Sequence, residues 1–396
     1  MTQHNVDCLS EEPTEVFTDD KDLEESLAEV EAVGCEIQPL CKKVVRKRRI
    51  KKIIAITFPI LNLVAVVLIV FFAMRTDGIS FNDFARVTIQ WQFLFAALLV
   101  IASLVIIDSW RWQLSMYTMT KRFEPFVCMR TYLLERHYNL LTPFYLGGKG
   151  YQLYYLHKHK FSSGEITAIA ISNFVLGRIG YQLVTGLVIA LFITRLSQLG
   201  GGVVVMSAVW TSVIWNVGIT VGVLFMSFNK TIPQKLGLAG VWLLHKSRII
   251  KDKQKATRFT KETLWRYRVT MRKLVRSPKV VVASIAMATT TNFFHFVIIG
   301  FIYASLFGWS WEALPILLLG VVLAEYVGTT VPIPGGTGAM ELVFLSIFAT
   351  VFGTPEILVA LVLWKVFSYI IPILNGLPVI AYDNAKKWRR SRHNNS

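Results

Sequence analysis

Two short stretches carry the residues whose types and spacing could do chemistry. The first is Val331-Pro332-Ile333-Pro334-Gly335-Gly336-Thr337-Gly338-Ala339-Met340-Glu341, between apolar runs at 314–331 and 342–352, each a little short for a full membrane crossing. Prolines lack an N–H and clash with the preceding turn, so they end the incoming helix. The glycines after them permit positive φ and close approach of another group. Glu341 opens the return helix as a carboxylate at a depth where a charge needs a reason. The second stretch is Thr142-Pro143-Phe144-Tyr145-Leu146-Gly147-Gly148-Lys149-Gly150, between an apolar arm at 126–141 and a short aromatic helix at 151–156. Basic residues flank both of its ends, which predicts a re-entrant hairpin entering from the cytoplasm, whereas the 331–341 hairpin enters from outside.

The two stretches match in order. Pro143 with Gly147, Gly148 and Gly150 answers Pro332 with Gly335, Gly336 and Gly338, allowing one inserted residue, and Gln152 then answers Glu341. Further on, Val175-Leu176-Gly177-Arg178-Ile179 answers Val362-Leu363-Trp364-Lys365-Val366. The offset is 188 between Gly148 and Gly336 and 187 between Arg178 and Lys365, and it also superposes the second expected span on the fifth. This predicts an inverted-topology repeat, in which paired broken helices point to a binding site.

The chemistry expected there is recognition of an anion. Half-helix N-termini with free N–H groups suit a phosphate. Arg178 and Lys365 add one cation from each half, Arg able to hold a phosphate in bidentate fashion and Lys acting as a point charge. The candidate lipid-binding set is Arg178, Lys365, Gly147, Gly148, Gly150, Gln152, Gly335, Gly336, Gly338 and Glu341. Two plainer readings stay open: a tight helix crossing with Glu341 as a structural partner, and cations that only neutralise Glu341, Glu325 or Asp108. His137 and His295 read as hydrogen-bonded polar residues, since no ligand cluster accompanies either; no metal, other cofactor or catalytic constellation is expected.

The rest of the chain must position these groups. With 54% hydrophobic residues and apolar runs near 20 residues, the fold class is an all-α polytopic membrane protein: about six full spans plus the two broken hairpins. Spans are expected at 53–74, 92–107, 163–194, 203–228 and 280–307, then one opening at Thr354-Pro355-Glu356 with Thr354 as N-cap and Pro355 as first helical residue. Ser162-Ser163-Gly164-Glu165 offers a capping box for the third. Asp108 and Arg111 are spaced for a local ion pair if their helix continues that far, and Trp110 with Trp112 reads as an interfacial pair.

The net charge of +17 hides a split. Residues 1–41 carry twelve acidic side chains and one Lys, and read as a disordered cytoplasmic tail. A basic juxtamembrane block at 42–52 follows, then the membrane domain at 53–383 and a basic tail at 384–396. Segment 229–279 is the most basic; it reads as a cytoplasmic loop with one or two interfacial amphipathic helices, in preference to RNA binding. Both termini are therefore expected in the cytoplasm, with no nucleic-acid partner. Cys8, Cys35, Cys41 and Cys128 form no CxxC pair and read as reduced, and the first apolar run begins too far in for a cleaved signal peptide.

The chain resembles the membrane domain of the lysylphosphatidylglycerol synthase/flippase family, of the multiple peptide resistance factor type, over roughly residues 53–383. Asn139-Leu140-Leu141-Thr142-Pro143-Phe144 with Gly147-Gly148 and Gln152-Leu153-Tyr154 carries the resemblance, as do Pro332-Ile333-Pro334-Gly335-Gly336 with Gly338 and Glu341, and Leu363-Trp364-Lys365. It implies a bacterial plasma-membrane protein that moves lysyl-phosphatidylglycerol or a related anionic or aminoacylated phospholipid between leaflets, contributing to resistance against cationic antimicrobial peptides. Lys365 stands where the family pattern suggests Arg, which keeps the charge and weakens bidentate recognition. Full-length members carry a cytosolic lysyltransferase domain, which the residues after Asp383 are too few to form; a separate synthase is then a candidate partner. The alternatives are a phosphatidylglycerol lysyltransferase using lysyl-tRNA, and a lipid-binding module that does not transport.

Overall fold

A computed structural model describes residues 86–142, 145, 147–200, 202–228, 232–246, 252–331 and 333–393. The expected first span at 53–74 and the segments 1–41 and 42–52 lie outside the described residues. Among the described residues all regular structure is helical, and the chain is a polytopic α-helical membrane protein. Five helical stretches among the described residues are long and apolar enough to cross a bilayer, and they coincide with the five remaining expected spans.

The order is α1 (Trp91–Thr120), α2 (Pro125–Leu140), α3 (Gly147–Lys158), α4 (Ser163–Phe192), α5 (Gly202–Phe228), α6 (Ile232–Lys246), α7 (Lys253–Val275), α8 (Pro278–Phe307), α9 (Leu314–Thr330), α10 (Ala339–Phe348), α11 (Glu356–Lys365) and α12 (Ile371–His393). A 3-10 turn (Ile193–Gln198) follows α4, and a π turn (Val366–Ile370) joins α11 to α12. Long, short, short, long thus occurs twice, as α1–α4 and again from α8 onward. Helices α1 and α8 are both 30 residues, and their ends are displaced by 187 at each terminus.

Local chemistry explains the boundaries. Helix α1 runs well past the expected end at 107 and stops where Lys121 takes a left-handed conformation (φ 61°). That extra length makes the Asp108–Arg111 pair real: Arg111 Nε donates to Asp108 Oδ1 at 2.8 Å, and Nη1 reaches the Asn173 carbonyl on α4 at 3.3 Å. Ser162 and Glu165 form the expected capping box at α4. The last span departs from expectation at its start: Pro355 is the N-cap, Thr354 lies outside, and the helix opens at Glu356. The tryptophan pair also separates. Trp110 is half exposed on the helix surface, whereas Trp112 is buried among Met116, Met119 and Ile169, because residues two apart face opposite ways on a helix.

Packing falls into two main clusters. One joins α9, α10 and α11 to α8, through Leu319, Leu323, Phe344, Ile347, Phe348 and Trp364. The other joins α2, α3 and the start of α4 to the end of α1, through Trp112, Leu134, Tyr155 and Leu156. Helix α1 lies along α8, and α3 and α10 fold back on α2 and α9 respectively. The basic segment contributes two helices, α6 and α7, and α7 buries Tyr267 and Leu274 against the second cluster.

Candidate functional site

In the α9–α10 break the backbone follows the proline and glycine chemistry closely. Gly335, Gly336 and Gly338 all have positive φ, at 65°, 63° and 91°. Gly336 also lies so near α9 that a Cβ would stand 2.6 Å from the Gly328 carbonyl oxygen. Here glycine is required twice over, by conformation and by space.

The α2–α3 break is built differently. Tyr145, not a glycine, takes the left-handed conformation (φ 56°), and Gly147, Gly148 and Gly150 belong to the first turn of α3. Gly148 is needed because a Cβ there would collide with the Glu135 carbonyl on α2. Side chains from the end of α2 and just beyond it also meet the start of α3: Gly147 N donates to Thr142 Oγ1 at 2.7 Å, and Gly148 N to Asn139 Oδ1 at 3.0 Å. On the other hairpin, Gly338 N donates to Glu341 Oε2 at 2.7 Å. Of the N–H groups at the two half-helix starts, those of Gly147, Gly148 and Gly338 are therefore met by the protein's own side chains, and at α10 the acceptor is a carboxylate.

The charged residues are distributed around a cavity of about 200 Å³. Its walls are Arg136, Asn139 and Tyr145 from the first hairpin, Asn292 and His295 from α8, Glu325, Thr329 and Gly335 from the second hairpin, Lys365 from the end of α11, and Ser368 and Tyr369 from the π turn. A smaller space of about 40 Å³ adjoins it, lined by Asp108, Tyr132 and Pro372, and the two share Arg136, Asn292 and His295 as a partition. His295 Nε2 and Glu325 Oε1 are 2.8 Å apart. Arg136 is hydrogen-bonded to Tyr132, and both Asp108 and Glu325 are close enough to act on its charge.

Of the residues expected from sequence, Lys365 and Gly335 line this cavity. Lys365 forms an ion pair with Glu341, the two side chains 5% and 0% exposed, so the carboxylate in the break has a structural partner. Arg178 sits in a separate polar layer and meets an amide. Its Nη1 donates to Asn216 Oδ1 on α5 at 3.3 Å, and Thr329 of the cavity wall donates to the same oxygen at 3.4 Å. Gln152 is fully buried on α3, and Gly150 is exposed on the same helix. His137 is satisfied as expected, bound to the Ile373 carbonyl at 2.8 Å, while His295 has Glu325.

Arg136 and Asn292 are cavity residues that spacing alone does not single out. One signal was present: Glu325 interrupts the apolar run at 314–331, and a lone carboxylate there asks for a partner. That its partner is His295, thirty residues earlier, depends on how α8 and α9 pack.

Comparisons with curated proteins and with solved structures find no match. The family model described as the lysylphosphatidylglycerol synthase transmembrane region matches residues 59–376, spanning both hairpins and all the helices that wall the cavity. With that match over most of its length, the chain belongs to the lysylphosphatidylglycerol synthase transmembrane-region family.

Proposed function

We propose that this membrane domain translocates a phospholipid, holding the headgroup between the two broken hairpins while it passes from the inner to the outer leaflet. The observation that carries this reading is the charged cavity itself. Both hairpins wall it, and Arg136 and Lys365 face it together with Glu325 and His295. A lipid needs such a compartment because its headgroup cannot cross hydrocarbon without polar partners, and broken helices beside a polar cavity are the membrane-protein device for supplying them. The substrate class is an anionic or aminoacylated phospholipid, with lysyl-phosphatidylglycerol the leading member by family, and the consequence for the cell would be resistance to cationic peptides. The inverted repeat would let the two hairpins open the compartment to opposite leaflets in turn. Arg178 would join the site through the Asn216–Thr329 link. Cytoplasmic termini in a plasma membrane complete the proposal.

The test is purified protein in liposomes carrying phospholipids with distinguishable headgroups, each assayed for leaflet exchange. Faster exchange of one headgroup class than in protein-free liposomes is expected. Binding without exchange would replace this reading with that of a lipid-retaining module. Formation of lysyl-lipid from lysyl-tRNA by the purified chain would replace it with the synthase.

A further inference from the structure

The charges around the cavity do not balance independently of what it holds. Asp108 is taken by Arg111 at 2.8 Å, and Glu341 by Lys365. Among the described residues of the cavity wall, this leaves Arg136, Glu325 and His295 sharing one compartment. Glu325 and His295 are mostly buried, their side chains 13% and 15% exposed, and in direct hydrogen-bond contact. A carboxylate oxygen can only accept, so with Glu325 ionised the Nε2 atom of His295 donates to it.

We propose that the cavity binds an anionic phosphodiester and a proton together, with Arg136 holding the anion and the His295–Glu325 pair holding the proton. This rests on the cavity being the headgroup site. With His295 neutral, the pair carries one negative charge, which offsets the single positive charge of Arg136. Bringing in a phosphodiester would then leave a net negative charge among mostly buried side chains, with Glu325 competing for the same guanidinium. Such an uncompensated charge is costly at low dielectric. One proton on the pair removes the problem. Nε2 keeps its hydrogen, Nδ1 gains one, and the imidazolium–carboxylate pair becomes neutral overall; alternatively the carboxyl carries the proton, with the same net charge. Arg136 then meets the phosphate without that competition, and its planar fork can take two oxygens.

The neighbouring charges do not substitute for this proton. Asp108 on α1 is held by Arg111 and Tyr132, and Lys365 on α11 by Glu341 on α10. Arg178 on α4 faces Asn216, and Tyr181 of the same helix packs edge-on against Tyr326. The position of His295 fits the role further, since it lines both the main cavity and the smaller space beside Asp108.

The experiment measures binding of short-chain phosphatidylglycerol and of dimethyl phosphate, neither of which titrates near neutrality, to the purified protein from about pH 5 to about pH 9, the range that brackets histidine titration. Calorimetry in two buffers of different ionisation enthalpy counts the protons taken up. Lipid affinity is expected to fall by up to about tenfold per pH unit as pH rises through the titration of the pair, with uptake approaching one proton per ligand. Glu325→Gln should flatten that profile and retain binding at high pH, whereas Arg136→Gln should abolish binding throughout; circular dichroism and gel filtration confirm that each variant is folded. Binding that is independent of pH in the wild type, with no proton uptake, overturns the proposal and leaves the lipid site standing. Proton-linked binding of dimethyl phosphate without lipid binding keeps the coupled anion site and overturns the lipid reading. No binding of either probe removes both.

Discussion

Replacing Lys365 by Met tests what holds the second hairpin to the last helix. Glu341 is fully buried and Lys365 is 4% exposed. With the ammonium gone, the carboxylate keeps the Gly338 N–H at 2.7 Å but lies buried with its countercharge removed. Removing one partner of a buried ion pair costs about 3–5 kcal/mol, because the remaining charge is stranded in low dielectric. That corresponds to roughly two to three and a half orders of magnitude in the unfolding equilibrium. Glu341→Gln should strand the ammonium in turn, while its amide oxygen can still accept from Gly338. The double variant Lys365→Met/Glu341→Gln removes both charges and should recover most of the loss, since replacing a buried pair by uncharged groups of similar shape is often close to neutral. The assay is unfolding in a mild detergent titrated with a denaturing one, followed by far-ultraviolet circular dichroism, with all four proteins compared in a cycle. Single losses that simply add in the double variant would show that the two residues do not act as a pair, and would return Lys365 to service as a free cation of the cavity.

Three further outcomes follow from the geometry. Gly148→Ala should destabilise by about 1–3 kcal/mol or more, since the new Cβ meets the Glu135 carbonyl, whereas Gly150→Ala meets nothing within 4 Å and should be neutral or stabilise by up to about 1 kcal/mol; thermal unfolding of the two variants compares them directly. Arg178→Gln should lower lipid affinity by about ten- to a hundredfold with the fold retained, if its link to Thr329 through Asn216 serves the headgroup; unchanged binding would confine it to the helix interface. Cysteines placed at Ser197 and Ser310 should react with an impermeant thiol reagent in intact cells and one at Ser247 should not, and the reverse pattern would invert the proposed topology.

Elements set by composition and periodicity were legible from the chain alone: five spans, two interrupted hairpins, a basic segment with one or two helices, and the capping box at Ser162. The 187-residue offset anticipated the matching bounds of α1 and α8. The glycines of the second break were also legible, because positive φ is a local demand. Those of the first break were legible only as glycines, not by their use. Gly147 and Gly148 serve helix contact rather than turn geometry, and the two uses of glycine look alike until the facing residues, Thr142, Asn139 and Glu135, are placed. The pairing of Glu341 with Lys365 could be named only as one alternative among several, since three carboxylates were eligible partners for two cations. Arg136 escaped notice because it follows Glu135, and a Glu-Arg neighbour pair reads as a solvated surface. In the fold Glu135 turns to Lys149 and Arg136 to Tyr132, so adjacent charges serve different partners.

The π turn at Val366–Ile370 fixes something about the length of the chain. There the Ile371 N–H reaches back five residues to the Val366 carbonyl, and Pro372 follows with no N–H to continue the ladder. Upstream, Lys365 is committed to Glu341; downstream, the Ile373 carbonyl is committed to His137, and Tyr369 and Ile373 pack against Leu140 and Leu141. One residue of α-helix is worth about 100° of rotation. Deleting a single residue in this turn would restore regular helix yet swing Lys365 about a quarter-turn or more away from its carboxylate, or else wrench Ile373 from His137. The segment should therefore tolerate many substitutions and almost no insertions or deletions, its length set by two partners that never touch each other.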